Sequence, residues 1–282
     1  MIVPSREEFL TGCEEFEKHD KRDAMYKVAT FLVSYFWDKP PAIPTIADGL
    51  GVLLLTWNQA FYRYGIFEFD KLEECISNNR QMIESFKSRN LSSLSNGDDG
   101  SIKNLFRQFL YALQIDSMRF SNENKKKYTK KHLEDLLDKW KIRYGATSLE
   151  AIYESIKGNA KIKDAIEFVM GTKKEYIQLT ISKLADAERE SLESTKLIMK
   201  SPVAVAKALH LLAPNFFPLW DGKIARAYRC YYNDRPAEKY VSFCKITKTM
   251  VEKLRNCVSR QDKTAVKMID EYNYSKYTQK WI

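Results

Sequence analysis

Residues 199–228 read MKSPVAVAKALHLLAPNFFPLWDGKIARAY, an alanine-rich helical segment followed by an apolar loop and a second helix start. Ser201 is a good N-cap, and Pro202 suits the first helical turn. The first helix is expected to end at Ala213, before a proline. The loop then leads to Asp221, a residue type typical of the N-cap of the next helix. The stretch therefore predicts two helices joined by a short apolar connection.

Most other segments show the same helical period, so the predicted fold class is all-α. Residues 49–64 are apolar almost all round, which predicts a fully buried helix. Residues 92–101 are rich in Ser, Asn, Asp and Gly and predict a loop. Strand-like alternation is limited to short ambiguous runs such as 241–246. Helical markers outside these stretches include Phe9, Cys13, Phe16, Val28, Leu32, Leu72, Ile76, Ile83, Phe106, Phe109, Leu133, Trp140, Ile152, Ile156, Ile166 and Tyr176.

Composition excludes several classes of protein. The chain has 282 residues, of which 44% are hydrophobic and 29% charged, so it is neither disordered nor collagen-like. Its 10 glycines and 8 prolines are too few for a turn-rich β-sandwich. The 46 Lys and Arg against 37 Asp and Glu give a net charge of +9, and nucleic acid is the commonest polyanion to fit that surplus.

The cysteines and the first residues bear on compartment and cofactors. No C-x-x-C pair and no His at zinc spacing is found among five cysteines and three histidines, so neither metal nor cofactor is predicted. Free thiols fit a reducing cytoplasm. The start lacks the apolar core of a secretory signal, and the longest apolar run, 49–57, is about half of a membrane-spanning length. A soluble intracellular protein is expected. The cysteines are Cys13, Cys75, Cys230, Cys244 and Cys257.

Two positions in the opening stretch have both a chemical and a purely structural interpretation. A helix N-terminus at Ser201, flanked by Lys200 and Lys207, is an anion site suited to one backbone phosphate. It equally fits a capped core helix with two solvated lysines. Asp221 follows five apolar residues, 216–220, and a carboxylate there is well placed to stabilise a cation. The alternative is a plain N-cap.

This pattern resembles the helix-hairpin-helix superfamily of DNA glycosylases. The family's phosphate-binding hairpin would fall on 200–206, and its aspartate on Asp221 within LWDGKIAR, residues 219–226. Residues 52–59, VLLLTWNQ, look like the family's apolar helix near the base opening. The resemblance implies a two-lobed helical fold with a cleft between the lobes. One lobe would combine 1–56 with 213–282, and the other would be 57–212, ending in the hairpin-like element.

The function implied by the resemblance is a monofunctional DNA glycosylase without cofactor or metal. Such an enzyme flips a base, and Asp221 would stabilise the sugar cation as the base leaves. The usual Gly-x-Gly hairpin is replaced by 202–205, and Lys207 is one or more places late for a Schiff-base lysine, so no lyase activity is expected. The cysteines are too few and too far apart for the iron–sulfur cluster of some relatives.

The site residues that follow from this interpretation form two sets. The base-pocket candidates are Trp220, Tyr228, Tyr231, Tyr232, Trp57, Asn58, Gln59 and Tyr62. The phosphate-binding candidates are Lys200, Ser201, Val203, Val205, Lys207, Lys223 and Arg226, with Arg229 as a further basic residue. Core packing is the alternative for Trp57, Tyr62 and Tyr228, and ordinary solvation is the alternative for Lys223 and Arg226. His210 is interpreted as a core histidine.

The expected partner is double-stranded DNA carrying a damaged or modified base, bound by a monomer in the cytoplasm with no membrane contact. The departures from common repair members suggest an atypical base, such as glucosylated hydroxymethylcytosine of phage DNA, which would make this a defence enzyme. Two other classes stay open. One is a non-catalytic helix-hairpin-helix DNA-binding protein, and the other is a helical protein-interaction module.

Overall fold

A computed structural model describes residues 3–19, 23–38, 45–57, 67–118, 196–257 and 263–282. These residues are mainly helical, and they contain one pair of short strands. The α-helices are α1 (Arg6–His19), α2 (Asp23–Trp37), α3 (Ile46–Trp57), α4 (Phe69–Asn78), α5 (Arg80–Lys87), α6 (Asp99–Ala112), α7 (Pro202–Leu212), α8 (Gly222–Ala227), α9 (Pro236–Lys253) and α10 (Ala265–Asn273). The strands are β1 (Ile115–Met118) and β2 (Lys196–Met199), and a π-helical turn spans Tyr274–Gln279.

The predicted helical class is confirmed, with two local differences. Strands β1 and β2 pair antiparallel, with Ile115 opposite Met199, and the sequence analysis did not predict them. Neither strand, IDSM or KLIM, alternates apolar and polar residues, which is the pattern by which strands are recognised. The ambiguous run 241–246 lies inside α9. The stretch 92–101 is only partly a loop, because it contains short 3-10 turns and α6 already begins at Asp99.

Two compact units divide the chain. The first comprises Met1–Asp23, Glu74–Leu113 and Ser201–Ile282, and the second comprises Ala24–Glu73 and Gln114–Lys200. The predicted lobes, with boundaries at 56/57 and 212/213, are drawn differently, since α7 belongs to the first unit together with everything that follows it. The helices predicted within residues 119–195 lie outside the described residues.

In the second unit, α3 covers residues 49–57 of the buried helix predicted over 49–64, and residues 58–64 lie outside the described residues. Leu50, Leu53 and Leu54 have no exposed surface. The helix starts after Thr45, whose backbone N–H donates to Asp48 Oδ2 at 2.7 Å. Gly49 allows α2 to approach closely, because a Cβ there would lie 2.9 Å from the backbone nitrogen of Val33.

Aromatic rings fill the core of the first unit around Trp220. The indole ring packs at 5.0 Å from Tyr232, 5.4 Å from Tyr240 and 6.2 Å from Phe106, measured between ring centroids. Each such pair adds roughly 0.5–1.5 kcal/mol beyond the burial of its surface. These contacts join α6, α9 and the loop after α7, so that loop is part of the core.

The C-terminal residues pack against the first helix. Ser275 Oγ donates to the carbonyl of Gly12 at 2.7 Å, and the ring of Tyr272 lies over the same glycine, where a Cβ would approach Cδ2 to 2.8 Å. Phe9 completes the contact with Tyr272, at 5.7 Å between ring centroids. The end of the chain is therefore fixed on α1. Among the described residues, no helix combines the length and hydropathy needed to cross a bilayer.

Candidate active site

The apolar loop between α7 and α8 holds Asp221 at the start of a helix. His210 Nδ1 donates to the Phe217 carbonyl at 2.7 Å, and the Tyr240 hydroxyl donates to the Pro218 carbonyl at 2.8 Å. Phe217 and Trp220 are at most 1% exposed. The loop is thus anchored by hydrogen bonds and by core packing directly before the carboxylate.

His210 is the satisfied core histidine that the sequence predicts. It has no exposed surface. Burial lowers its pKa to about 4, and the positive charge of Lys267 acts in the same direction, partly opposed by the bond to Phe217. The imidazole is therefore neutral near pH 7 and acts as a donor to the loop.

Asp221 is the N-cap of α8, as predicted, and both of its oxygens are occupied by donors. Oδ1 accepts the backbone N–H groups of Lys223 and Ile224, each at 2.7 Å. Oδ2 accepts the hydroxyl of Thr278 at 2.6 Å. The residue is half-buried, and the helix N-terminus favours its negative charge. A partly exposed carboxylate in fixed orientation is what the proposed chemistry needs.

A second bond ties the same two segments together. The exposed side chain of Lys223 reaches back so that Nζ donates to the backbone carbonyl of Thr278 at 2.7 Å. Thr278 belongs to the π-helical turn, more than fifty positions along the chain from Asp221. The start of α8 and the C-terminal turn therefore form one hydrogen-bonded unit around the carboxylate.

Tyr231 and Tyr232 form a half-buried aromatic pair beside Asp221. Their ring centroids lie 4.8 Å apart, and the guanidinium of Arg226 lies 4.1 Å from the Tyr231 ring. Tyr232 approaches α8 so closely that a Cβ on Gly222 would lie 2.9 Å from its hydroxyl. Burial, together with the nearby Tyr231 and Asp221, raises the pKa of Tyr232 to about 12. Here the predicted pocket residues and the predicted carboxylate do lie together.

The other two predicted pocket residues of this region belong to the core. Trp220 is 1% exposed and packs among aromatic rings. Tyr228 is 9% exposed, and its hydroxyl donates to Asn273 Oδ1 at 2.7 Å. Burial raises the Tyr228 pKa far above its ordinary value. For Tyr228 the structure agrees with the alternative stated at the outset, a core position.

The predicted phosphate contacts at the start of α7 differ in their exposure to solvent. Ser201 caps the helix by accepting the Ala204 N–H on Oγ at 3.3 Å, as predicted, and Lys200 beside it is exposed. Val203 is half-buried. Val205 has no exposed surface, and its N–H donates to the Ser201 carbonyl at 3.2 Å, so that amide is used by the helix. Of this group, Lys200 is exposed, whereas Ser201 and Val203 are half-buried.

The first helix of a helix-hairpin-helix would precede Lys200. The residues directly before it, Lys196–Met199, form strand β2, and 119–195 lie outside the described residues. That element therefore stays a prediction. Asn58, Gln59 and Tyr62 also lie outside the described residues, and of Trp57 only the backbone, at the end of α3, is described.

Sequence analysis missed a buried charged cluster on α10, which we call the α10 cluster: Lys263, Lys267, Asp270 and Glu271. Lys267 is 1% exposed and Glu271 has no exposed surface. The Lys267 ammonium lies 3.1 Å from Glu271 Oε1 and 3.9 Å from Asp270 Oδ2. Lys263, which precedes the helix, pairs with Glu271 at 2.9 Å. Charged residues inside the apolar periodicity of 263–273 were the available signal.

Asp270 links this cluster to the predicted site. Burial raises its pKa to about 7, and the carboxylates of Asp221 and Glu271 add to the shift, while Lys267 and Lys207 oppose it. Lys207, a predicted phosphate contact, is itself only 9% exposed. Little of its surface is therefore available to a phosphate.

The remaining polar candidates have other surroundings. Arg226 and Lys223 are exposed, as ordinary surface charges and phosphate contacts both require.

All five cysteines are unpaired thiols, and burial raises the pKa of Cys13 and of Cys75 to about 12. Within the part of the chain that the structure describes, no group of three or more His, Cys, Asp or Glu side chains is arranged to hold a metal ion.

Comparison of the chain with family models, with curated proteins and with solved structures gives no match.

Proposed function

We propose that the protein is a monofunctional DNA glycosylase in which Asp221 stabilises the positive charge of the departing nucleoside. The observation that supports this most is the carboxylate itself: it is half-buried, fixed by three hydrogen bonds, and flanked by an aromatic pair. Cleavage of an N-glycosidic bond develops positive charge on the sugar, and a fixed carboxylate stabilises that charge without reorganisation.

The aromatic pair supplies the second requirement of this chemistry. A base that leaves the stack costs a few kcal/mol of unstacking, and aromatic or apolar surfaces recover part of that cost. Tyr231 and Tyr232 lie beside the carboxylate and keep part of their rings accessible. Arg226, which is exposed over the Tyr231 ring, adds positive charge at the same place. A flipped nucleotide would thus find a ring surface, a cation and a carboxylate together.

Lys207 supports hydrolysis rather than a covalent mechanism. Its ammonium is nearly buried and couples electrostatically to Asp270. A side chain with so little exposed surface is poorly placed to attack the sugar of a bound nucleotide. The absence of lyase activity therefore remains our expectation, with water as the nucleophile.

The alternative, a DNA-binding protein without catalysis, has its own supporting observation. The three hydrogen bonds of Asp221 are explained by capping α8 and by joining it to the C-terminal turn. An N-cap of this kind needs no chemical role. Base release is therefore the property that separates the two functions.

The test is incubation of the protein with cellular and phage genomic DNAs, including DNA that carries glucosylated hydroxymethylcytosine. Alkali-labile sites are scored and freed bases are identified by mass spectrometry. We expect free base and abasic sites on at least one DNA, and no covalent protein–DNA adduct under borohydride. DNA binding without base release on every DNA would support the non-catalytic alternative, and loss of binding at physiological salt would support a protein-interaction module.

A further inference from the structure

The C-terminal π-helical turn contributes a polar contact to the candidate carboxylate. Thr278 is the residue of this turn that reaches Asp221, through the 2.6 Å bond from its hydroxyl to Oδ2. Asp221 Oδ1 is already held by the helix amides, so the hydroxyl fixes the other oxygen. Without it, the helix cap would still hold the residue, but one oxygen would lose its donor.

The turn is anchored on several sides, so the position of Thr278 is well defined. Ser275 bonds to α1, and the Tyr228 ring packs on Tyr277 at 5.5 Å between centroids. Lys276 pairs with Glu8 on α1. These contacts belong to the turn and not to Asp221. The hydroxyl is thus presented by an independently fixed element, as preorganisation of a reactive group requires.

Lys223 of α8 forms a second hydrogen bond to Thr278. Its Nζ bonds the backbone carbonyl of Thr278 at 2.7 Å, so the turn and α8 are joined by two bonds of opposite direction. π-Helical turns are rare and occur frequently at functional sites.

We infer that Thr278 is a positioning residue, whose hydroxyl orients the Asp221 carboxylate toward the sugar of the bound nucleotide, with Lys223 holding the turn in place. The inference rests on the proposed function. It assigns to Thr278 no contact with substrate and no proton transfer. Its effect is on the rate of the chemical step, because binding of DNA does not depend on the rotation of one carboxylate.

The test compares Thr278→Val, which keeps the shape and removes the hydroxyl, with Thr278→Ser, which keeps the hydroxyl. We expect T278V to lower kcat for base release roughly 10- to 100-fold with little change in KM, and T278S to restore most of the rate. The matched control is Thr249→Val in α9, whose hydroxyl bonds the Lys245 carbonyl at 3.2 Å. T249V should leave kcat and KM unchanged, and thermal unfolding shows whether each variant folds.

The outcomes separate this inference from the proposed function. If D221N abolishes base release while T278V keeps the wild-type kcat, the positioning role is wrong and the function stands. An equal loss of rate in T278V and T278S also contradicts it, because the serine hydroxyl can still donate. If the wild-type protein releases no base from any DNA, the proposed function and this inference fail together.

Discussion

Asp221 and Asp270 are two carboxylates of one compact unit with opposite surroundings. Asp221 is half-buried and receives three hydrogen bonds. Asp270 is 9% exposed, and the Lys267 ammonium lies 3.9 Å from its Oδ2. A pair of carboxylates whose environments differ in this way is a common feature of acid–base sites. In this chain the difference also makes stability depend on pH.

We predict that Asp270→Asn becomes more stable relative to wild type as pH rises. The folded-state pKa of about 7 lies above the ordinary value of 3.8, so the fold favours the protonated acid. The stabilisation is complete below pH 4 and is lost as pH rises through 7. Asparagine mimics the neutral acid at every pH.

The measurement is the free energy of unfolding of both proteins by urea between pH 4 and pH 8. We expect the difference, variant minus wild type, to increase by a few kcal/mol over that range, since one pKa unit corresponds to about 1.4 kcal/mol. The control is Asp234→Asn, an exposed carboxylate that pairs with Arg235. A difference for D270N that stays flat with pH would show that Asp270 is ionised throughout.

At the scale of residues, the sequence predicted local roles and missed tertiary ones. Ser201 and Asp221 were recognised as caps because a cap is defined by its next three or four residues. Thr278 and Asp270 were not found, since each meets Asp221 only through folding of segments about fifty residues apart. Trp220 was assigned to the pocket because aromatic type and sequence proximity cannot distinguish a ring in the core from a ring at its edge.

The short helix α8 ends at Ala227, and two residues later Arg229 has a left-handed backbone with φ of 57°. Here the chain reverses, and the Cys230 N–H bonds the Ala225 carbonyl at 2.8 Å. A non-glycine residue in this conformation costs roughly 1–2 kcal/mol. Arg229 is exposed and was predicted as a basic contact. The strained backbone position therefore carries a positive side chain, two residues before Tyr231 in the sequence.

We predict that Arg229→Gly unfolds at higher urea concentration than Arg229→Ala. Both variants lose the charge, but only alanine keeps the Cβ that strains this conformation. The expected difference in unfolding free energy is about 1 kcal/mol in favour of glycine. Equal stability of the two variants would show that the left-handed turn carries no strain.

At the scale of elements, helix existence was easier to predict than helix limits. The amphipathic and capped helices α1, α6 and α7 follow from periodicity. Helix α6 begins earlier than its apolar positions indicate, because Asp99 and Gly100 already continue the 3-10 turn of Asn96–Asp98. The pair β1 and β2 joins residues about eighty positions apart, and local sequence contains no signal for such pairing.

The whole molecule carries a net charge of +9, which makes salt dependence a test of the partner. Each phosphate contact to duplex DNA contributes about −0.9 to the slope of log K against log salt. We expect a slope that corresponds to several contacts, measured by fluorescence anisotropy with a duplex.

The matched variants for that slope are Lys200→Gln and Lys18→Gln. Lys200 is exposed beside the cap of α7, whereas Lys18 pairs with Glu15 on α1. We expect K200Q to reduce the slope by about 1 and K18Q to leave it unchanged. Binding that does not respond to salt would contradict a phosphate-based interface.

At this scale, periodicity predicted a helical protein and composition a basic one, and the helical class is confirmed. The division into units was harder to predict. The predicted first lobe and both observed units are discontinuous, but the observed first unit takes in Glu74–Leu113 and α7. The apolar faces of different helices have similar residue patterns. Sequence therefore does not indicate which helices pack together, because that depends on long-range contacts. The lobe cleft expected from the resemblance stays a prediction.

The central claim, that the Asp221 carboxylate is the group that makes base release fast, is tested most directly with Asp221→Asn. Asparagine is as good an N-cap as aspartate, so α8 should persist. On the DNA that releases most base with wild-type protein, we predict loss of base release in D221N, unchanged DNA affinity, and wild-type behaviour of Asp234→Asn. Base release by D221N at the wild-type rate would contradict the account.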